Sequence, residues 1–247
     1  MLEQDFIIEI GTEELPPKVL KSLSTAFEQE LTDLLKVYEL KFCSSKIFAT
    51  PRRLAVLVKA LVECQNDQIN EKIGPSIDSA SDQNGNPTPA AIGFAKSCGV
   101  QIEELKTIKK DNKTKLYFSA KVQGKRTSEI LPDLVKTAIN KLPIPKKMRW
   151  GSSREEFIRP VHWVMAVYGN NIIDIEIFGV KSGNQTFGHR FHTNESITIT
   201  APEKYEKALE KNGYVVASFE KRRKKIKNLI EEAASNVNSV AIIDPSL

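Results

Sequence analysis

Two prolines separated by one residue, Pro143 and Pro145, follow a segment of helical periodicity and precede a strongly apolar one, and no other feature constrains the fold of this chain as much. A proline fixes its own φ, removes a backbone donor and pushes the preceding residue toward extended conformations. No continuous helix can therefore run from Lys141 into Trp163. From Lys141 to Arg154 the chain also carries Lys141, Lys146, Lys147, Arg149 and Arg154 with no carboxylate before Arg154, and Trp150 stands among them. Such a segment is expected on the surface. Cations at this density around an indole match a polyanion, whose phosphates take the charges and whose bases or riboses stack on the ring. The plainer alternative is a solvated basic loop ahead of a core strand.

The segments around it alternate between strand and helix signals. Asp5 to Ile10 fills with Phe6, Ile7, Ile8 and Ile10 and reads as a buried strand ending at Gly11. Pro16 and Pro17 fit only the first turn of a helix, and Val19, Leu20, Leu23, Phe27, Leu31, Leu34 and Leu35 carry that helix to about Lys36. Ile47 to Ala49 and Leu54 to Val58 read as short strands around a turn, Thr50-Pro51-Arg52-Arg53. Adjacent guanidinium forks there suit phosphate or carboxylate, with a surface ion pair as the alternative.

Asp82-Gln83-Asn84-Gly85-Asn86-Pro87 marks a mobile loop, Ala90 to Cys98 a short helix closed by Gly99, and Leu116 to Val122 a strand. Ser128 to Leu142 is a second amphipathic helix. Phe157 to Tyr168, turning at Gly169-Asn170-Asn171 into Ile172 to Phe178, reads as a hairpin with Trp163, Val164 and Val167 in the core. His162 is expected to satisfy a buried hydrogen bond. Ile197 and Ile199 suggest a short strand, and the chain is helical from Pro202 to Val237, with six cations between Lys221 and Lys227 that face either water or RNA. The last residues, Asp244-Pro245-Ser246-Leu247, have neither a cap nor a charged tail and read as an artificial boundary. These elements predict an α+β fold: a mixed or antiparallel sheet with packed helices and an inserted subdomain. Residues 1–65 and 143–200 form the main body, 66–142 the insertion and 201–247 a basic helical segment.

The sequence also excludes chemistry. There is no Gly-rich phosphate loop followed by Lys-Ser or Lys-Thr, and no Gly-x-Gly-x-x-Gly after a strand. Cys43, Cys64 and Cys98 are odd in number and widely spaced, which builds neither a disulfide framework nor a zinc site and points to a reducing cytosol. His189 and His192 lack a Cys, Asp or Glu at ligand spacing, so they are expected to contact phosphate or to pack. Glu13 and Glu14 read as a pair at a helix start that favours its dipole rather than as an acid and base. No serine elbow is present, and no apolar run approaches the ~18 residues of a membrane span.

Five separated motifs nevertheless stand in a familiar order: Ile10-Gly11-Thr12-Glu13-Glu14-Leu15-Pro16-Pro17, Ala49-Thr50-Pro51-Arg52-Arg53-Leu54, Lys141 to Gly151, Arg159-Pro160-Val161-His162 and Gly188-His189-Arg190-Phe191. In order and spacing they resemble the amino-terminal part of the β subunit of bacterial heterotetrameric glycyl-tRNA synthetase. The resemblance implies a subunit of an α2β2 ligase that charges tRNA(Gly) in the cytoplasm. It implies ATP and glycine sites on the α subunit, no cofactor or catalytic residue in this fragment, and longer relatives with HD-like and anticodon-binding domains beyond it. Together with the cation pattern it marks Arg52, Arg53, Lys146, Lys147, Arg149, Trp150, Arg154, Arg159, His189 and Arg190 as tRNA-binding residues near the acceptor arm. Docking of the α subunit, with Trp150 and Trp163 as anchors, and an editing-type hydrolase acting on mischarged tRNA are the alternatives.

Overall fold

The computed structural model of the chain describes residues 2–82, 86–110, 113–152 and 154–244. Gln83 to Gly85 of the expected mobile loop, and the final Pro245-Ser246-Leu247, lie outside them. The chain divides into two compact units, Met1–Gln65 with Arg126–Leu247, and Asn66–Lys125. Helices and strands are both well represented, as an α+β fold requires.

In the larger unit the strand Glu3–Thr12 is central to a mixed sheet. It pairs antiparallel with Arg53–Val62 on one side and Val161–Tyr168 on the other. Ser44–Thr50 extends the first edge antiparallel, and Val180–Gly183 extends the second in parallel. Side chains alternate across a strand, so Phe6, Ile8 and Ile10 share one face with Leu54, Val56, Val58, Val164 and Ala166. This face packs under the helices Pro17–Val37 and Thr127–Asn140. The other face carries Ile7, Ala55, Leu57, Met165 and Val167 against Ile197, Ile199, Tyr205 and Leu209. Both faces are covered, which is why the strand reads as an almost unbroken apolar run.

Sequence order places the helix Thr127–Asn140 with the insertion. It belongs instead to the larger unit, because Ile130, Leu131, Leu134, Val135 and Ala138 complete that core. The expected single hairpin after Val161 is instead two shorter ones: Asn171–Ile172 folds back on Val167 and Tyr168, and Glu176–Ile177 pairs with Val180–Lys181. The chain's later helical part is broken between Tyr205–Asn212 and Phe219–Asn236.

The exception in the central strand is Glu9, a fully buried carboxylate. The Nε1 of Trp163 and, at 2.6 Å, the hydroxyl of Thr186 donate to its Oε1. The Tyr205 hydroxyl donates to Oε2, and Arg53 Nη1 lies 3.4 Å from the same oxygen. Arg53, only 1% exposed, also donates to Thr50 Oγ1 at 3.2 Å, Thr186 Oγ1 at 3.2 Å and the Phe187 carbonyl. Burial works against the Arg53 charge, but Glu9 and Tyr205 together more than offset it and keep the guanidinium pKa above its usual value. Burial, reinforced by Glu9, holds the Tyr205 hydroxyl protonated well above the usual tyrosine range. Gly11 makes room for this arrangement: a Cβ there would lie 1.9 Å from the Trp163 ring.

Removing one member of a buried, hydrogen-bonded pair strands the other, so Glu9→Leu should cost about 3–5 kcal/mol in urea unfolding. The double variant Glu9→Leu/Arg53→Met should lose less than the two single changes added together. Gly11→Ala should lower the melting temperature by displacing the indole. A pH dependence follows as well, because burial, with Glu63, Cys64 and Glu3 nearby, pushes the Tyr168 hydroxyl up to about 12. Its contribution is present in full below the ordinary tyrosine pKa near 10 and is lost as pH rises toward 12, since the unfolded chain releases its proton first. Denaturant titrations should show stability falling across that window, and Tyr168→Phe should make the fall shallower.

Candidate nucleic-acid interface

Four of the five motifs meet at one end of the central sheet. The link that follows Gly11 is tied by backbone hydrogen bonds on both sides: Thr12 N to Arg52 O at 2.9 Å, Leu15 N to Pro51 O at 2.6 Å, and Glu13 N to Pro160 O at 2.9 Å. The segment containing Gly188 to Phe191 joins them because Gly188 is packed against Gly213, where a Cβ would come within 2.5 Å of Gly213 Cα, and His189 N donates to Gly213 O at 2.8 Å.

Two adjoining hollows open on this end. One, of about 350 Å³, is lined by Arg52, His162, Trp163, Arg190, Thr193 and Asn194 among others. Its neighbour, of about 290 Å³, shares Arg52 and Arg190 and adds His189, Phe191, Tyr214 and Arg222. Arg52 lies over the Trp163 ring at 5.7 Å, its Nε is buried without a hydrogen-bond partner, and no carboxylate among the described residues pairs with it. A guanidinium held on a ring face with an orphaned N–H is arranged to receive an oxyanion. Arg190 reaches Glu14 only at 3.9 Å and packs over Phe191 at 5.8 Å. The His189 ring stacks on His192 at 4.4 Å, and His189 Nδ1 accepts from Phe191 N at 3.3 Å.

The two adjacent arginines therefore part company. Arg52 lines both hollows, whereas Arg53, which borders only the second, shares the face of Glu9 and Gly11 and spends its hydrogen bonds in the buried network. Expected at the RNA-facing turn, Arg53 is a structural residue here. His162 differs from expectation too: it is exposed, with Nε2 2.9 Å from Glu13 Oε1. Glu13 and Glu14 precede the helix, which begins at Pro17, and face His162 and Arg190 instead of a helix dipole.

The basic loop approaches this end through Arg159, which donates to Glu14 O at 3.0 Å and Ile158 O at 2.9 Å and has Nη1 3.9 Å from Met148 Sδ. Lys146, Lys147 and Arg154 are exposed. Arg149 is paired with Glu156 at 2.7 Å, and Lys141 with Glu30 at 3.4 Å. Trp150 is half-buried, edge-on to Phe178 at 6.0 Å, so its ring is partly committed to the core. In the tail, Lys221 bridges Glu206 at 3.0 Å and Glu210 at 3.6 Å, and Arg222 donates to the Val216 carbonyl at 2.7 Å. Glu9, Trp163 and Asn194 are the members that sequence reasoning misses or leaves in the core. A lone acid inside an apolar strand is the available signal for Glu9. Among the described residues no group of three or more His, Cys, Asp or Glu is placed to hold a metal ion, and no helix is long and apolar enough to cross a membrane.

Comparison with known proteins agrees with the motif order. A family model described as glycyl-tRNA synthetase beta subunit matches residues 6–247. The glycine–tRNA ligase beta subunit of Hahella chejuensis is 45% identical over 247 residues, which is all of this chain and 36% of that protein. Those of Marinobacter nauticus and Coxiella burnetii are each 43% identical, again over all of this chain and 36% of theirs. The chain thus spans about a third of the length of the curated relatives it matches. Residues that converge on one end of the sheet, in the order the motifs set, belong to a chain that is a member of the glycyl-tRNA synthetase beta subunit family.

Proposed function

We propose that this chain is a tRNA-binding part of a glycine–tRNA ligase β subunit. In this reading glycine activation with ATP takes place on a partner α subunit of an α2β2 enzyme in the cytoplasm, and the present chain holds tRNA without catalysing a step. The observation that carries the reading is Arg52: an arginine with no acidic partner among the described residues, held on Trp163 between two hollows that it shares with Arg190. Arg159, Lys146, Lys147 and Arg154 supply further cations on the same unit, His189 offers a ring beside Arg190, and Arg149 joins them if RNA phosphate displaces Glu156.

Docking of the α subunit through Trp163 has less support, because that indole is buried and its N–H is committed to Glu9. Cations that neutralise phosphates release condensed counterions, so binding of a glycine tRNA transcript should weaken steeply with salt. Arg52→Glu/Arg190→Glu should lower affinity at least about tenfold at low salt and flatten the log–log salt slope by about 0.7–0.9 for each phosphate no longer neutralised. Lys146→Glu/Lys147→Glu should act in the same direction. Titrations of the labelled transcript check both. Wild-type affinity in the arginine variant, or a wild-type slope near zero, would overturn the reading, and loss of α-subunit capture with tRNA affinity intact would favour docking.

A further inference from the structure

The unit Asn66–Lys125 is built on a three-stranded antiparallel sheet in which Lys113–Val122 lies between Gln68–Ser76 and Lys106–Lys110. Its register sorts the side chains onto two faces. One face carries Lys72, Gly74 and Phe118 and is covered by the helix Pro89–Cys98: a Cβ on Gly74 would meet the Phe94 ring at 2.5 Å, and Lys72 Nζ donates to the Ser97 carbonyl at 2.7 Å. The opposite face carries Lys106 across from Tyr117, Ile108 across from Lys115, and Lys110 across from Lys113, then Ile73, Glu71 and Ile69 on the third strand.

This second face is open. Ile69 is 66% and Ile73 43% exposed, and Lys106, Lys110 and Lys113 are exposed. Its acids are already used: Glu71 accepts from the Tyr117 hydroxyl at 2.6 Å, and Asp67 pairs with Lys121 at 2.7 Å. Among the described residues no carboxylate pairs with Lys106, Lys110 or Lys113. Like charges directly opposite each other, as Lys110 and Lys113 are, destabilise a sheet, and a bound polyanion removes that cost.

We propose that this open sheet face is a second RNA-binding surface, distinct from the end of the larger unit's sheet. Lysines that alternate with Tyr117, Ile108 and Ile73 give phosphates and the faces of unpaired bases each something to bind. The choice of RNA among polyanions rests on the tRNA-binding reading above, while the surface itself rests on register and exposure.

The test uses the whole chain and a labelled glycine tRNA transcript. Lys106→Glu/Lys110→Glu/Lys113→Glu should weaken binding at least about tenfold at low salt and flatten the salt slope by about 2, three phosphates at about 0.7 each. The single change Lys113→Glu places an acid opposite Lys110, so its melting temperature should hold or rise while tRNA affinity falls; this separates lost binding from lost folding. Arg52→Glu/Arg190→Glu in the same assay tells the two readings apart: normal binding there with loss in the lysine variants leaves this surface standing alone. Wild-type affinity and slope in the triple variant would overturn the proposal. So would loss only of binding to phosphatidylserine vesicles, or a wild-type chain that binds no tRNA at low salt.

Discussion

A carboxylate in the middle of the innermost strand holds the larger unit to one arrangement. Glu9 has no water to turn to, and an ionised group removed from water is tolerated only where charge and hydrogen bonds replace the lost hydration. The replacements come from four separate parts of the chain: Arg53 at the start of a neighbouring strand, Trp163 on the other neighbour, Thr186 on a peripheral strand and Tyr205 at the start of a helix. An apolar core tolerates rearrangement of similar volumes, whereas a carboxylate with four directional partners does not. The network therefore fixes how the layer formed by residues 185–209 seats on the sheet.

That constraint reaches the surface through two neighbours. Trp163 is immobilised with one ring face toward Arg52, so the buried acid indirectly positions a half-buried cation at the rim of the hollows. Arg53 donates to the carbonyl of Phe187, the residue before Gly188-His189-Arg190, which sets where that loop leaves the sheet. Gly11 belongs to the same device. It stands in register between Arg53 and Trp163, and any side chain there would occupy the space of the indole. Part of the motif that marks the family is thus explained by packing, and part by what it exposes.

Periodicity makes much of the fold legible. The central strand, the helices Pro17–Val37, Pro89–Cys98 and Thr127–Asn140, and the strand around Leu116 all fall where residue spacing puts them. Periodicity does not say which body a helix joins, and Thr127–Asn140 packs with a helix about a hundred residues earlier. Nor can it separate Arg52 from Arg53. Adjacent residues at a strand end point to opposite sides, and only the position of Glu9 decides which of them is drawn inward. The open lysine face is illegible for a similar reason: the cations between Lys106 and Lys121 line up only once the three strands are placed in register.

The density of cations along the sequence is the weakest guide, since cations are spent locally before any partner arrives. Lys141 and Arg149 in the proline-rich loop, Lys221 in the last helix and Lys121 in the smaller unit each sit against an acid. Such exposed pairs contribute little to stability and exchange readily for a stronger anion, so they add reach to a binding surface without defining it. What defines it is the cation that folding leaves without a counter-charge. Among the described residues of the larger unit Arg52 is such a cation and is packed on an indole; on the smaller unit Lys106, Lys110 and Lys113 are such cations, their backbones set in rows by a sheet. A guanidinium already seated on an indole loses less conformational freedom on binding an anion than a lysine on a flexible loop does, so a cation's burial and packing, rather than the local density of positive charge, decide how well it is prepared to receive one.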